Sequence, residues 1–278
     1  MELMIQDPTY AESMRLGEAL IDACNKGKDG AGAFAFAEEN GIDLFMGDPD
    51  FSNFIKIHNY ELVVGTDSIT DPKAVARLRE YCKLYPNLTV YGYVHDSQKY
   101  LFHPKITWFE TSGGGLSIIG SGNLTESGLY HNIEMYSYNS LSNADFVKLK
   151  SDWQDWLDYS INNNLIFDIN DPIIDHAVNL SAANKTKSFS SSKSSTMKAT
   201  APDPSLVALY KTQPKTTSIR KTINTPIPKK AKPKKSAAII ATPIPPVAPV
   251  IVAPIINPVW TVSSTDRVLV AEVPKASI

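Results

Sequence analysis

Cysteine is scarce in this chain, and so are the residue clusters that usually hold metal ions. The 278 residues include two cysteines, Cys24 and Cys82, which lie far apart and form no CxxC motif. This number excludes a disulfide framework and a cysteine-rich zinc site. No Asp, Glu or His residues are spaced convincingly as metal ligands, so we expect neither a metal nor another cofactor.

The sequence also lacks a targeting segment and an uninterrupted apolar run. Residues 1–7 have neither a basic region nor a long apolar core, so we expect no secretory signal. The apolar run at residues 237–256 is long enough to cross a bilayer, but its five prolines would remove helical hydrogen bonds. We therefore expect no membrane span and a cytoplasmic protein, bacterial or from a virus in its host's cytoplasm.

Positive charge is rare in the first two thirds of the chain and abundant afterwards. Residues 1–180 contain 12 Lys+Arg and 26 Asp+Glu, whereas residues 181–278 contain 15 Lys+Arg and 3 Asp+Glu. The second part also includes a Ser/Lys tract and a Lys/Pro block at residues 229–235. This composition predicts a low-complexity tail over 181–259 that contacts nucleic acid or a protein partner, or else a solvated linker. Residues 260–278 alternate like short strands and predict a docking segment; the alternative is a frayed end.

The pattern of the acidic part predicts an α/β domain over residues 1–180. Apolar residues at helical spacing predict helices at 8–25 and 144–161, and Asp71-Pro72 is a typical helix start. Short β-branched or apolar runs predict strands, at 31–37, 61–65, 88–93, 101–109, 116–120 and 133–139. Strands first alternate with helices and then follow one another, which favours a mixed sheet flanked by helices.

Three short motifs carry the chemistry of this domain. They are His103-Pro104-Lys105, Gly120-Ser121-Gly122-Asn123 and Asn132-Ile133-Glu134. A histidine and a lysine two positions apart on a strand point to the same face of the sheet. The histidine can attack phosphorus or carry a proton, while the lysine can neutralise a phosphate oxygen. This pairing is typical of phosphoryl chemistry.

The later motifs add hydrogen-bonding groups and a carboxylate. The amide of Asn123, the hydroxyl of Ser121 and the backbone N–H groups that follow Gly120 could donate to the same phosphate oxygen. Glu134 could accept the second ring N–H of a histidine and fix its tautomer. Each motif alone is common in proteins, and it is their order and short spacing that favour a shared site.

In this order the motifs resemble those of the phospholipase D superfamily, whose signature runs H-x-K, four residues, D, and then G-S-x-N. The closing Glu134 resembles the nuclease branch, which includes restriction endonucleases of this type, and the resemblance covers about residues 8–165. It implies a phospholipase D-like fold and a metal-independent phosphodiesterase that forms a phosphohistidine. The catalytic residues it implies are His103, Lys105, Asn123 and Glu134, with Ser121, Gly120 and Glu110 in supporting roles. Glu110 stands where the signature has aspartate.

The family places two HxK motifs around one active site, and this chain has one. The remaining histidines lack a lysine two positions on, namely His58, His95, His131 and His176. The resemblance therefore implies a homodimer, in which His103 of one chain attacks and His103 of the other protonates the leaving oxygen.

The short single-motif domain, the closing glutamate and the basic tail favour a nucleic-acid substrate, whereas the acidic body would repel DNA outside the site. We expect an endonuclease that acts on DNA more than on RNA. The alternatives are a phospholipid hydrolase of the same superfamily and a non-catalytic binding or scaffold protein that uses its basic tail.

Overall fold

The computed structural model describes residues 2–67, 69–96, 100–190, 203–213, 261–262 and 269–270. The chain divides into two compact units, residues 1–219 and 220–278. The basic block at 229–235 and the Pro-rich apolar run at 237–256 lie outside the described residues. None of the helices in the described ranges combines the length and the apolar content that a bilayer crossing requires.

The first unit alternates helices and strands before a run of antiparallel strands. Its elements are β1 (Glu2–Gln6), α1 (Leu16–Lys26), β2 (Gly30–Phe34), α2 (Glu39–Met46), α3 (Pro49–Ile55), β3 (Tyr60–Gly65), α4 (Pro72–Leu84), β4 (Leu88–Tyr93), β5 (Lys105–Thr111), β6 (Gly114–Gly120), β7 (Glu134–Ser142), α5 (Asn143–Asn162), β8 (Ile166–Asp168), α6 (Pro172–Ser190) and α7 (Pro204–Thr212). A π-helical turn, Ser127–His131, precedes β7.

One eight-stranded sheet organises this unit. Its strand order is β1-β7-β6-β5-β2-β3-β4-β8. The neighbours β2, β3 and β4 run parallel, and every other pairing in the sheet is antiparallel. The predicted α/β class with a mixed sheet flanked by helices is therefore confirmed.

Apolar clusters cover both faces of the sheet, as the alternation of side chains along the strands requires. On one face, strand residues such as Leu62 and Phe109 pack with α1–α4, α6 and α7. On the other face, Val63 and Trp108 pack with α5, where Trp153 makes an edge contact with the Trp108 ring at 6.0 Å. The central strands are thus buried on both sides, which fixes their register.

The start of the chain differs from the prediction of a helix over 8–25. Residues 2–6 form the edge strand β1, and α1 begins at Leu16. The side chain of Gln6 holds this arrangement, because it accepts from the amide of Leu16 at 2.7 Å and donates to the carbonyl of Asn132 at 2.9 Å. The strand was missed because it is short and its alternate residues Leu3 and Ile5 are exposed.

Packed structure continues past residue 180, where the low-complexity tail was expected to begin. Helix α6 extends to Ser190, so the expected boundary falls inside a helix. Asp203 caps the start of helix α7, because its carboxylate accepts from the amide of Ser205. The helix buries Leu206 in the core. The local signal is Asp203-Pro204, the same start as Asp71-Pro72, but the surrounding Ser/Lys composition concealed it.

The second unit contains one described pairing. Strands β9 (Thr261–Val262) and β10 (Leu269–Val270) are antiparallel. They lie within residues 260–278, where short strands were expected, while docking of this segment stays a prediction.

Candidate active site

The three motifs of the sequence meet at one edge of the sheet. Strand β5 begins at Lys105, which pairs with Phe34 at the end of β2. Strand β6 ends at Gly120 and β7 begins at Glu134, and both strands are antiparallel to their neighbours. Because antiparallel neighbours reverse direction, the start of β5, the end of β6 and the start of β7 share an edge. The carboxyl ends of β2, β3 and β4 lie there too, which is where open α/β sheets place their ligands.

His103 lies just before β5 rather than within the strand predicted over 101–109. Pro104 has no N–H to donate to a strand ladder, and its carbonyl accepts from the amide of Ala35 at 2.8 Å. The side chains of His103 and Lys105 nevertheless meet. Nζ of Lys105 lies 2.9 Å from Nε2 of His103 and donates to the His103 carbonyl at 3.3 Å. His103 is exposed, whereas Lys105 is buried.

One aromatic side chain that was not predicted from the sequence, that of Phe36, lies beside His103 and Lys105. The Phe36 ring makes an edge contact with the His103 imidazole at 5.9 Å, and Nζ of Lys105 lies 6.0 Å from its centroid. The carbonyl of Phe36 accepts from the amide of Leu124 at 3.1 Å, which ties this loop to the one after Asn123. The available signal was an aromatic residue two positions after the buried strand β2.

Glu134 is held by its own chain on both carboxylate oxygens. Ser121 Oγ donates to Oε2 in a short hydrogen bond and accepts from the amide of Met135 at 3.1 Å. Nδ2 of Asn132 donates to Oε1 at 3.0 Å. Among the described residues, the hydrogen bonds of Glu134 go to these partners and none goes to the His103 ring. The expected contact between Glu134 and the imidazole is thus not formed within one chain.

The loop from Gly120 to Asn123 passes close to Glu134, since a Cβ at Gly122 would lie 3.6 Å from Cγ of that residue. A Cβ at Gly122 would lie 2.4 Å from Cδ2 of Leu16 and 2.9 Å from the Gly128 carbonyl, so the loop needs glycine there. Oδ1 of Asn123 is shielded from solvent and has no hydrogen-bond partner among the described residues. The described part of the chain therefore leaves the hydrogen-bonding capacity of this atom unused.

The charges at the site favour a neutral imidazole beside a cation. Partial burial lowers the pKa of His103, and the neighbouring Lys105 lowers it further. Burial also lowers the pKa of Lys105, while the charge of Glu134 acts in the opposite direction. A neutral ring nitrogen is the nucleophilic form of histidine. The arrangement therefore combines a nucleophile, a fixed cation and an amide at one edge.

Glu110 and His131 lie apart from this site. Glu110 is near the far end of β5, where its carboxylate pairs with Lys150 at 2.7 Å on the surface. Its expected supporting role at the site is therefore not seen, because Glu110 lies five positions beyond Lys105 along an extended strand. His131 is exposed and lies 3.4 Å from Glu126. Within the described ranges, no group of three or more His, Cys, Asp or Glu side chains could hold a metal ion.

Comparison with known proteins gives structural likenesses only. No family model and no curated protein matches the sequence. The fold is similar to Nuc from Salmonella typhimurium, a phospholipase D family member, with 14% identity and a TM-score of 0.42 over 60% of this chain and 97% of that chain. It is also similar to NucT from Helicobacter pylori, with 13% identity and a TM-score of 0.39 over 56% of this chain and 94% of that one.

A third similar structure is yeast tyrosyl-DNA phosphodiesterase, with 12% identity and a TM-score of 0.35 over 50% of this chain and 32% of that chain. At these identities and TM-scores the likeness by itself assigns no function.

Proposed function

We propose that this chain is a metal-independent phosphodiesterase that cleaves DNA internally through a phosphohistidine on His103. The observation that carries the proposal is the 2.9 Å contact between Nε2 of His103 and Nζ of Lys105 at the sheet edge. Asn123 and Glu134 converge on the same edge from the next two strands. Nucleophile, cation and amide donor are the groups that phosphoryl transfer requires.

The reaction has two balanced steps. Nε2 of His103 attacks phosphorus, an N–P bond forms, and the P–O bond to the leaving alcohol breaks as that oxygen takes a proton from a second imidazole. Water then attacks phosphorus, the N–P bond breaks, and the water proton returns to the second imidazole. Lys105 and Asn123 stabilise the non-bridging oxygens during both steps.

The second imidazole is that of His103 in another copy of the chain, because the sequence contains a single HxK motif. Exposed apolar side chains next to the site support such an interface. Ile5 pairs with Met135, and they are 48% and 54% exposed. Leu3 and Ile119 flank Ser137 on the same face of the sheet. An apolar surface of this kind is typical of a covered interface.

The substrate class follows from the distribution of charge. The 1–180 body is acidic and would repel DNA outside the site, whereas residues 181–278 carry 15 Lys+Arg and 3 Asp+Glu. Replacing the five lysines of the 229–235 block by glutamine in the full chain should weaken DNA binding and reduce its salt dependence. Unchanged affinity would contradict a role of this block in DNA binding.

The decisive experiment incubates the protein with supercoiled plasmid, single-stranded DNA and RNA in excess EDTA. We expect nicking of the plasmid, and a loss of about 10³-fold or more in His103→Ala. His131→Ala is the matched control, because that exposed histidine lies outside the site, and it should retain activity. Cleavage that requires an added metal, or that survives in His103→Ala, would overturn the proposal.

One observation favours a second candidate, a phospholipid hydrolase. An apolar cleft of about 230 Å³ lies beside Pro104 and is lined by Ala33, Ile106, Leu149, Asp152, Trp153 and Trp156. A cleft of this kind suits an acyl chain. Release of headgroup from phosphatidylcholine vesicles, absent in His103→Ala, would identify this activity. A chain that cleaves neither substrate would instead be the non-catalytic binding protein.

A further inference from the structure

A buried, hydrogen-bonded Asp–His pair lies at the same edge of the sheet and takes no part in the proposed reaction. Asp67 follows β3 and His95 follows β4, and Nε2 of His95 lies 2.7 Å from Oδ2 of Asp67. The His95 side chain is fully buried, and that of Asp67 is 10% exposed. Such a pair adds little net stability relative to apolar residues of the same volume, so stability alone does not account for it.

The His95 ring contacts the segment that leads into His103. The Tyr100 ring stacks on the imidazole at 4.6 Å with an interplanar angle of 18°. The amide nitrogen of Phe102 lies 3.4 Å from Nε2 of His95. Because a ring nitrogen that donates to Asp67 cannot also accept from Phe102, the shorter contact is the hydrogen bond and the longer one is packing.

The residues directly before and after His103 are also held by contacts with the rest of the domain. The Phe102 ring, in the residue before His103, stacks on Tyr93 at 4.3 Å and lies nearly parallel to the Trp156 ring at 6.4 Å. The carbonyl of Pro104, the residue after it, accepts from Ala35 at 2.8 Å. His103 itself is exposed, and these two anchored neighbours hold its backbone, while its ring contacts Lys105 and Phe36.

The end of helix α7 also lies next to His95. Nε2 of Gln213 donates to the carbonyls of Val94 and Asn164, both at 2.8 Å, next to His95. Tyr210 of α7 packs against the core, and burial together with the charges of Asp96 and Asp67 raises its pKa to about 12. This helix belongs to the part of the chain that composition alone assigned to a tail.

We propose that Asp67 and His95 are positioning residues: Asp67 fixes the plane of the His95 ring, and this ring holds residues 100–102 so that His103 faces the phosphorus. The inference rests on the proposed function for its kinetic consequence. Displacing a catalytic group by about 1 Å can lower the rate about 10²-fold.

Two substitutions at Asp67 separate the hydrogen bond from the charge. Asp67→Asn keeps an acceptor for Nε2–H and should stay within about threefold of the wild-type kcat. Asp67→Leu removes the acceptor and should lower kcat by about 10- to 100-fold with KM nearly unchanged. His95→Phe keeps a ring that can stack on Tyr100 but lacks the nitrogen that donates to Asp67. Its kcat should fall by as much as that of Asp67→Leu.

Tyr60→Phe is the matched control for general destabilisation. It removes another buried hydrogen bond, between Tyr60 and Thr107 at 2.8 Å, at the opposite end of β3. All variants are compared at a temperature where thermal unfolding shows them folded. The inference would be overturned if Asp67→Leu and Asp67→Asn had equal kcat values. It would also be overturned if kcat fell as much in Tyr60→Phe as in Asp67→Leu.

A second measurement does not depend on activity. In protein with ¹³C-labelled histidine, the His103 imidazole signal, assigned with His103→Gln, should shift and broaden in Asp67→Leu but not in Asp67→Asn. Identical His103 signals in the two variants would refute the positioning role. If the wild-type chain cleaves no phosphodiester, the proposed function fails, while the His103 signal still decides whether Asp67 positions this residue.

Discussion

Nζ of Lys105 lies 2.9 Å from Nε2 of His103, so the cation of the site contacts the atom that would attack phosphorus. An ammonium at this distance disfavours a second positive charge on the ring, which keeps the imidazole neutral. It also occupies the lone pair that attack requires. Phosphate oxygens of a substrate would compete for the three lysine donors and thereby release Nε2 for attack.

The first prediction concerns the pKa of His103. In Lys105→Met the repulsion from the ammonium is lost, so the pKa of His103 should rise toward its ordinary value. The acidic limb of the pH profile for kcat/KM should likewise lie below about 6.5 in the wild type, because the attacking ring must be neutral. An NMR titration of the His103 ring measures the shift. Lys150→Met, at the far end of β5, is the control, and an equal shift there would refute the explanation.

The second prediction distinguishes the two glutamates of the motif region. Glu134→Gln removes the charge that supports protonation of Lys105, so the pKa of Lys105 should fall further and cleavage should drop by about 10²-fold. Glu110→Gln breaks only a surface pair with Lys150, which contributes about 1 kcal/mol or less. Its cleavage rate should match the wild type. Equal losses in the two variants would show that Glu110 acts at the site.

The third prediction concerns the amide of Asn123. If this amide stabilises the transition state, Asn123→Ala should lower kcat by about 10²- to 10³-fold with a smaller change in KM. Asn139 provides a matched control, because its Oδ1 is also buried and has no partner in the part of the chain that the structure describes, while its Nδ2 donates to Ser137 at 3.1 Å within the sheet. Steady-state kinetics of Asn139→Ala should stay near wild type. A pure KM effect in Asn123→Ala would argue against its proposed role.

The fourth prediction concerns the glycine of the site loop. In Gly122→Ala the new Cβ would meet Leu16 and the Gly128 carbonyl, so the loop must shift and the free energy of unfolding should fall by about 1–3 kcal/mol. Gly113→Ala is the control, since no atom of the described residues lies within 4 Å of a Cβ there. Thermal unfolding compares the two variants. Equal stability of both would mean that the close approach at Gly122 imposes no constraint.

Local signals in the sequence predicted most of the regular structure. Asp71 caps α4 as expected, because its carboxylate accepts from the amides of Lys73 and Ala74. Such caps depend on residues within one turn, so a linear sequence displays them. The edge strand β1 and helix α7 were missed because their stability comes from distant partners, as the bonds from Gln6 to Asn132 and from Gln213 to Val94 show.

The sequence by itself determined the chemistry that this protein has available: one HxK pair, a glycine-rich loop with Asn123, and a carboxylate at Glu134. Only the tertiary structure decided which of these groups meet, because the order and direction of strands depend on contacts between distant residues. Strand pairing brings Glu134 to the edge that Lys105 occupies and leaves Glu110, five positions from Lys105 in sequence, near the opposite end of β5. It also adds Phe36 and the Asp67–His95 pair, whose proximity to His103 no local pattern displays.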